Sequence, residues 1–159
     1  MSAKLRTAIE ILICLVICFL PALIGSRFMP GEWYASLAKP ALNPPNWIFG
    51  PAWTLLYALM GIALFLIWQR RSAPGWGLAI AVFVIQLALN AAWSWLFFGL
   101  HRPDLAFVEI CAMWLFIVLT VVAFWRLRPL AGALLLPYVA WVAFAAWLNL
   151  QLWRLNPAA

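Results

Sequence analysis

Trp47-Ile48-Phe49-Gly50-Pro51-Ala52-Trp53-Thr54-Leu55-Leu56-Tyr57-Ala58-Leu59-Met60-Gly61-Ile62-Ala63-Leu64-Phe65-Leu66-Ile67-Trp68-Gln69 is followed at once by Arg70-Arg71-Ser72-Ala73-Pro74-Gly75. The first stretch holds no charge, shows no period-two alternation, and is about as long as a helix that crosses the ~30 Å hydrocarbon core of a bilayer. A barrel strand spans with about ten alternating residues, so the run excludes a β-barrel. The Arg pair with Pro and Gly behind it is a membrane-flank stop.

Four further apolar runs lie on either side of this one. Thr7–Ser26 precedes it, and Trp76–Gly99, Asp104–Trp125 and Leu130–Trp153 follow. The expected spans are therefore 7–26, 47–69, 76–99, 104–125 and 130–153, with Asp104 as the N-cap of the fourth. Between the first and second lies a long, Pro-rich and aromatic loop 1, Arg27 to Asn46. The whole chain agrees with this reading: of 159 residues, 69% are hydrophobic and 9% charged. A soluble domain is about half apolar and a quarter charged. The expectation is a single-domain, all-α, multi-pass integral membrane protein: a five-transmembrane-helix bundle with a long first loop. Which membrane holds it is not legible, and the first run reads as a retained span.

The net charge of +6 comes largely from residues at span ends, so it marks membrane flanks and not a nucleic-acid face. Lys4, Arg6, Arg70, Arg71, Arg126 and Arg128 fall on one side, and Arg27, Lys39, Arg102 and Arg154 on the other, which favours the N-terminus inside by a narrow margin. Cys14 and Cys18 are i,i+4 on one helix face, but no His or carboxylate completes a metal set. They and Cys111 read as packing residues.

Counting ~1.5 Å per residue from the loop-1 face puts Trp53 about 9 Å deep, Tyr57 about 15 Å, Asn90 about 13 Å, Glu109 about 8 Å and Asn149 about 6 Å. The opposite half offers little polar beyond Thr120 and Tyr138. Polar groups inside a bilayer need partners or a cavity. The expectation is a bundle sealed at one end, with an aromatic-lined cavity under loop 1. Gln86, Asn90, Trp93 and Phe97 share one face of the third span, Trp53 and Tyr57 one of the second, and Trp141, Ala145 and Asn149 one of the fifth. Of twelve Trp, about half sit at span ends as a belt. Deep indoles such as Trp53, Trp93 and Trp141 suit stacking on a planar ligand.

Three stretches carry a family resemblance. Pro30-Gly31-Glu32-Trp33-Tyr34 leads through Lys39-Pro40 and Asn43-Pro44-Pro45-Asn46-Trp47 to Gly50-Pro51-Ala52-Trp53 and Leu56-Tyr57. Leu89-Asn90-Ala91-Ala92-Trp93-Ser94-Trp95 with Phe97-Phe98-Gly99 comes next, and then Pro137-Tyr138-Val139-Ala140-Trp141 with Leu148-Asn149. Together they resemble the TspO/MBR family of tryptophan-rich sensory proteins, translocator proteins and peripheral-type benzodiazepine receptors, and the chain reads as a bacterial member. The resemblance covers essentially the whole chain. It implies a bundle, often dimeric, that binds tetrapyrroles such as protoporphyrin IX and haem, and also sterol-like or drug-like molecules. It further implies roles in tetrapyrrole regulation, with transport of porphyrins or light-dependent porphyrin breakdown as alternatives. No obligatory cofactor, metal or catalytic residue is expected.

On that resemblance the ligand-binding residues are Tyr34, Trp47, Trp53, Tyr57, Asn90, Trp93, Trp141, Ala145 and Asn149. Arg27 and Lys39 are candidates for the ligand's propionates. Two departures stand out. Leu150 occupies the place where a sterol motif wants Tyr, and Leu105 stands where many members have Trp. His101 reads as a solvated loop residue. Glu109 reads either as a functional intramembrane carboxylate or, equally, as the partner of Arg102 or of Trp95 Nε1. Gly75/Ala79, Gly77/Ala81 and Ala88/Ala92 are small-xxx-small pairs on the third span and suggest a homodimer.

Overall fold

A computed structural model describes residues 2–157. Five helical spans make up the bundle, and no strand occurs among the described residues. The first, α1, runs Ala3–Gly25. It begins ahead of the apolar run because Ser2 caps it, Oγ accepting from Leu5 N–H, and because Arg6 pairs with Glu10 one turn on. Loop 1 contains the short helix α2, Glu32–Ser36, and ends in a single 3-10 turn, Asn46–Ile48, that leads into α3, Phe49–Trp68. The third span is α4, Trp76–Ser94, continued by a π-helical turn, Trp95–Gly99.

The fourth span, α5, is Pro103–Leu127. Pro103 occupies its first turn, where a missing N–H costs nothing. Asp104 therefore lies inside the helix and is not its N-cap; instead both its oxygens hold Arg102, at 2.8 and 2.6 Å. The fifth span is two helices: α6, Pro129–Ala133, and α7, Leu136–Leu155. Pro137, at the start of α7, has no N–H to offer a helix continuing from α6.

The spans close into a ring. α4 packs on α5, α5 on α7, and α1 on both α3 and α4, while α3 reaches the fifth span chiefly through α6. At the end away from loop 1 the ring is filled. Phe83 and Phe124 stack with centroids 5.5 Å apart, and Ile67, Ile117, Ala131 and Leu135 are buried around them. Cys14 and Cys18 are buried in the same core, and Cys111 is exposed. The outward residues are large and apolar, among them Leu12, Val16, Leu23, Leu55, Leu78, Val84, Val108 and Leu115. Such a surface suits hydrocarbon, and helices satisfy their own backbone there. The chain is an integral, multi-pass membrane protein.

Candidate functional site: an aromatic cavity under loop 1

Toward loop 1 the helices part around a cavity of about 700 Å³, within the usual range for small-molecule sites. Tyr34, Trp47, Trp53, Tyr57, Asn90, Trp93, Trp141, Ala145 and Asn149 all line it.

Its floor is a chain of hydrogen bonds. Tyr57 O–H donates to Asn90 Oδ1 at 2.7 Å, Asn90 Nδ2 donates to the Tyr138 hydroxyl at 2.9 Å, and Tyr138 donates to Gln86 Oε1 at 3.0 Å. All four side chains are buried, so the polar groups that the bilayer would penalise satisfy one another. Tyr138 does not itself line the cavity; it lies beneath it, in the half away from loop 1, and bonds to the cavity residue Asn90. Side chains lean toward their helix N-terminus, which on α4 is away from loop 1. Gln86 and Asn90 reach down from α4 to meet it.

Indoles make the walls. Trp53 stacks on Tyr57, centroids 5.4 Å apart, and meets Tyr138 edge-on. Trp141 lines the cavity from α7, packed edge-on against Phe49. The Trp141 Nε1–H is buried and has no hydrogen-bond partner among the described residues. Trp93 Nε1 is already taken, donating to Asn149 Oδ1 at 3.0 Å, while Asn149 Nδ2 donates to the Pro103 carbonyl at 2.8 Å. Asn149 therefore ties α4, α5 and α7 together at the cavity wall.

The roof is aromatic. The wider spacing of the π-helical turn brings both Phe97 and Phe98 to the cavity, where they pack on Trp93 and on Tyr34 of loop 1. Burial among these rings pushes the Tyr34 phenol above its ordinary range, so it stays a neutral donor, 3.4 Å from Asn43 Oδ1. Phe98, Phe28 and Met29 line the cavity as well, unnoticed in the sequence. An apolar residue beside a loop looks the same whether it faces lipid or a cavity.

The two cations differ from expectation in different ways. Lys39 Nζ is turned back onto α2, donating to the carbonyls of Tyr34, Ala35 and Leu37 and lying 4.8 Å from the Tyr34 ring centroid. It caps a helix C-terminus and is not directed at the cavity. Arg27 is exposed between Ser26 and Phe28, both of which line the cavity, but it is not itself part of the wall. His101 is not merely solvated. Its ring stacks on Trp33 at 4.3 Å, with a positive φ of 53°. Glu109 pairs with neither Arg102, which Asp104 holds, nor Trp95, which faces outward. Both of its carboxylate oxygens are buried without a partner.

Comparison with known proteins agrees with this architecture. The model of the TspO/MBR family matches residues 11–154. A tryptophan-rich protein TspO of Chlorobaculum tepidum is 40% identical over 160 residues, covering 96% of this chain and 99% of its own. A tryptophan-rich sensory protein of Cereibacter sphaeroides is 42% identical, covering 89% and 88%. The human translocator protein is 40% identical, covering 84% and 82%. These relatives are named for sensing and translocation, not for catalysis. Matched from the first span to the last, and folded as five spanning helices under an aromatic first loop, the chain belongs to the TspO/MBR family.

Proposed function

We propose that the chain is a membrane sensory or regulatory protein that binds a tetrapyrrole, protoporphyrin IX or haem, in the cavity under loop 1. One observation carries the reading. Trp53 and Trp141, on different helices, line one large, mostly apolar cavity together with Tyr34, Tyr57 and Trp93. Flat indole faces stack on a planar macrocycle. Arg27 at the mouth is the candidate for a propionate; Lys39 would first have to leave three carbonyls. Sterol-like and drug-like molecules are secondary candidates for the same space.

We expect no axial ligand to iron from His or Cys: His101 is stacked on Trp33, and Cys14, Cys18 and Cys111 are not part of the cavity wall. Metal-free protoporphyrin IX should bind about as well as haem, and its dimethyl ester more weakly. The test is a titration by tryptophan quenching with protoporphyrin IX, haem and a sterol in parallel. Trp53→Ala and Trp141→Ala should each cost about 1–3 kcal/mol of binding. Unchanged affinity in the folded double variant defeats the reading. A sharp six-coordinate haem spectrum lost in His101→Ala defeats the claim about iron.

Transport of porphyrins is the alternative. The packed half around Phe83 and Phe124 leaves no polar path away from the cavity, which favours binding over passage; vectorial uptake into reconstituted vesicles would reverse that choice. We further propose a homodimer through the outer face of α4. Gly77, Ala81, Val84 and Ala88 are exposed on one stripe there. Ala79 cannot take part, since it is wholly buried within the bundle.

A further inference from the structure

Three glycines record how α1 crosses the bundle. At Gly61 a Cβ would come 2.6 Å from Leu15 Cδ2 and 3.0 Å from Leu15 Cα, so α1 and α3 touch there almost backbone to backbone. Gly50 lies on the same face of α3, three turns nearer loop 1, and a Cβ there meets nothing within 4 Å. Gly25, at the loop-1 end of α1, has the Ser94 Oγ of α4 3.0 Å from where its Cβ would be. As it rises toward loop 1, α1 thus leaves α3 and leans on α4. Pro21 lies in the stretch where the two part.

The wedge left between α1 and α3 is part of the cavity. Ala22, Gly25 and Ser26 line it from α1, and Gly50 and Thr54 from α3. Gly50, Thr54 and Ser26 are also exposed, and every one of these side chains is small. The Phe19–Tyr57 contact, 5.5 Å between centroids, closes the wedge below.

Loop 1, in contrast, is fastened down. Asn156 Oδ1 accepts from Ala38 N–H at 2.9 Å, while its Nδ2 donates to the Ala38 carbonyl at 3.0 Å. Trp33 stacks on His101, and Tyr34 packs on Phe97 and Phe98.

We propose that the wedge between α1 and α3 is a lateral doorway, through which a flat apolar ligand enters the cavity from the bilayer hydrocarbon while loop 1 stays closed. The proposal rests on reading the cavity as a ligand site. Such a ligand partitions into lipid and is concentrated there. A path walled by Gly, Ala, Ser and Thr lets it pass without breaking the loop-1 fastenings.

Two experiments test it. In a chain with Cys14, Cys18 and Cys111 replaced by alanine, Thr54→Cys is reconstituted in vesicles. A lipid-dissolved pyrene maleimide should label it faster, by about tenfold or more, than a charged water-soluble maleimide; the opposite order overturns the doorway. Secondly, Gly50→Leu places a side chain in open space, so the fold tolerates it while the wedge narrows. Stopped-flow association of protoporphyrin IX from vesicles should then slow by about tenfold, and dissociation with it. Asn156→Ala, which loosens loop 1, should leave the wild-type rate. Faster entry in Asn156→Ala with no change in Gly50→Leu overturns the doorway in favour of entry through the loop. If protoporphyrin IX fails to bind the wild type, the tetrapyrrole reading falls, and the labelling order at Thr54 still decides the doorway.

Discussion

Asn90 uses both ends of its amide, accepting from Tyr57 and donating to Tyr138, at the buried floor of the cavity. Asn90→Leu keeps the bulk and strands one phenol, Tyr57, since Tyr138 still donates to Gln86; an unpaired buried group costs about 1–3 kcal/mol. Tyr138→Phe leaves two groups without their partner, Asn90 Nδ2 and Gln86 Oε1, and should therefore lose more stability than Asn90→Leu; thermal unfolding in detergent ranks them. Glu109 is the reverse case, since both its oxygens are buried without a partner. Removing an uncompensated buried polar group stabilises, so Glu109→Leu should melt higher than wild type. A lower melting temperature would mean that the carboxylate has a partner in the assembled protein. Helical spacing marked Asn90, Trp53, Tyr57 and Trp141 in advance, because a polar or indole residue deep in an apolar run has few reasons to be there. It could not give the bond partners of Tyr138 or Glu109. These depend on the lean and reach of side chains from other helices, which spacing along one helix does not contain.

Among the elements, the spans themselves were legible, as hydropathy and flanking charge fix them. Their interruptions were not. The run from Leu130 to Trp153 is uniformly apolar, and only Pro137 hints that α6 ends and α7 begins inside it. The π-helical turn at Trp95–Gly99 had no signal, because its residues suit an α-helix equally well. The break after α5 depends on one close approach. A Cβ on Gly132 would lie 2.9 Å from Trp125 Cβ and 3.0 Å from its Cα, which is backbone and cannot move aside. Gly132→Ala should therefore destabilise the α5–α6 hairpin by about 1–3 kcal/mol, as overpacking does. Gly77→Ala, where a Cβ meets nothing, serves as the control and should gain slightly from helix propensity in a monomer. Equal melting temperatures for the two would show that the hairpin opens readily.

At the scale of the molecule, most of the outer surface is what lipid accepts: bulky aliphatic side chains on every span. The outer face of α4 departs from this. Gly77 and Ala81 leave a shallow groove beside Leu78, bounded by Val84, and a Cβ at Gly77 would meet nothing in the monomer. Lipid chains gain little from a groove, whereas a second helix gains close backbone contact, since association within a bilayer is driven by packing and not by water. The small-xxx-small spacing was visible in the sequence, but its division into a buried part and an exposed part was not. Ala79 packs inside the bundle, so the face turns on Gly77 and Ala81. Leucine at both should fill the groove on each copy without touching the cavity, whose walls lie on the other side of α4 at Asn90, Trp93 and Ser94. The double variant should run as a monomer in sedimentation or native mass spectrometry in mild detergent and still quench with protoporphyrin IX. Dimers that persist in it would place the contact on another helix. Loss of quenching together with the dimer would instead show that each cavity depends on the neighbouring copy.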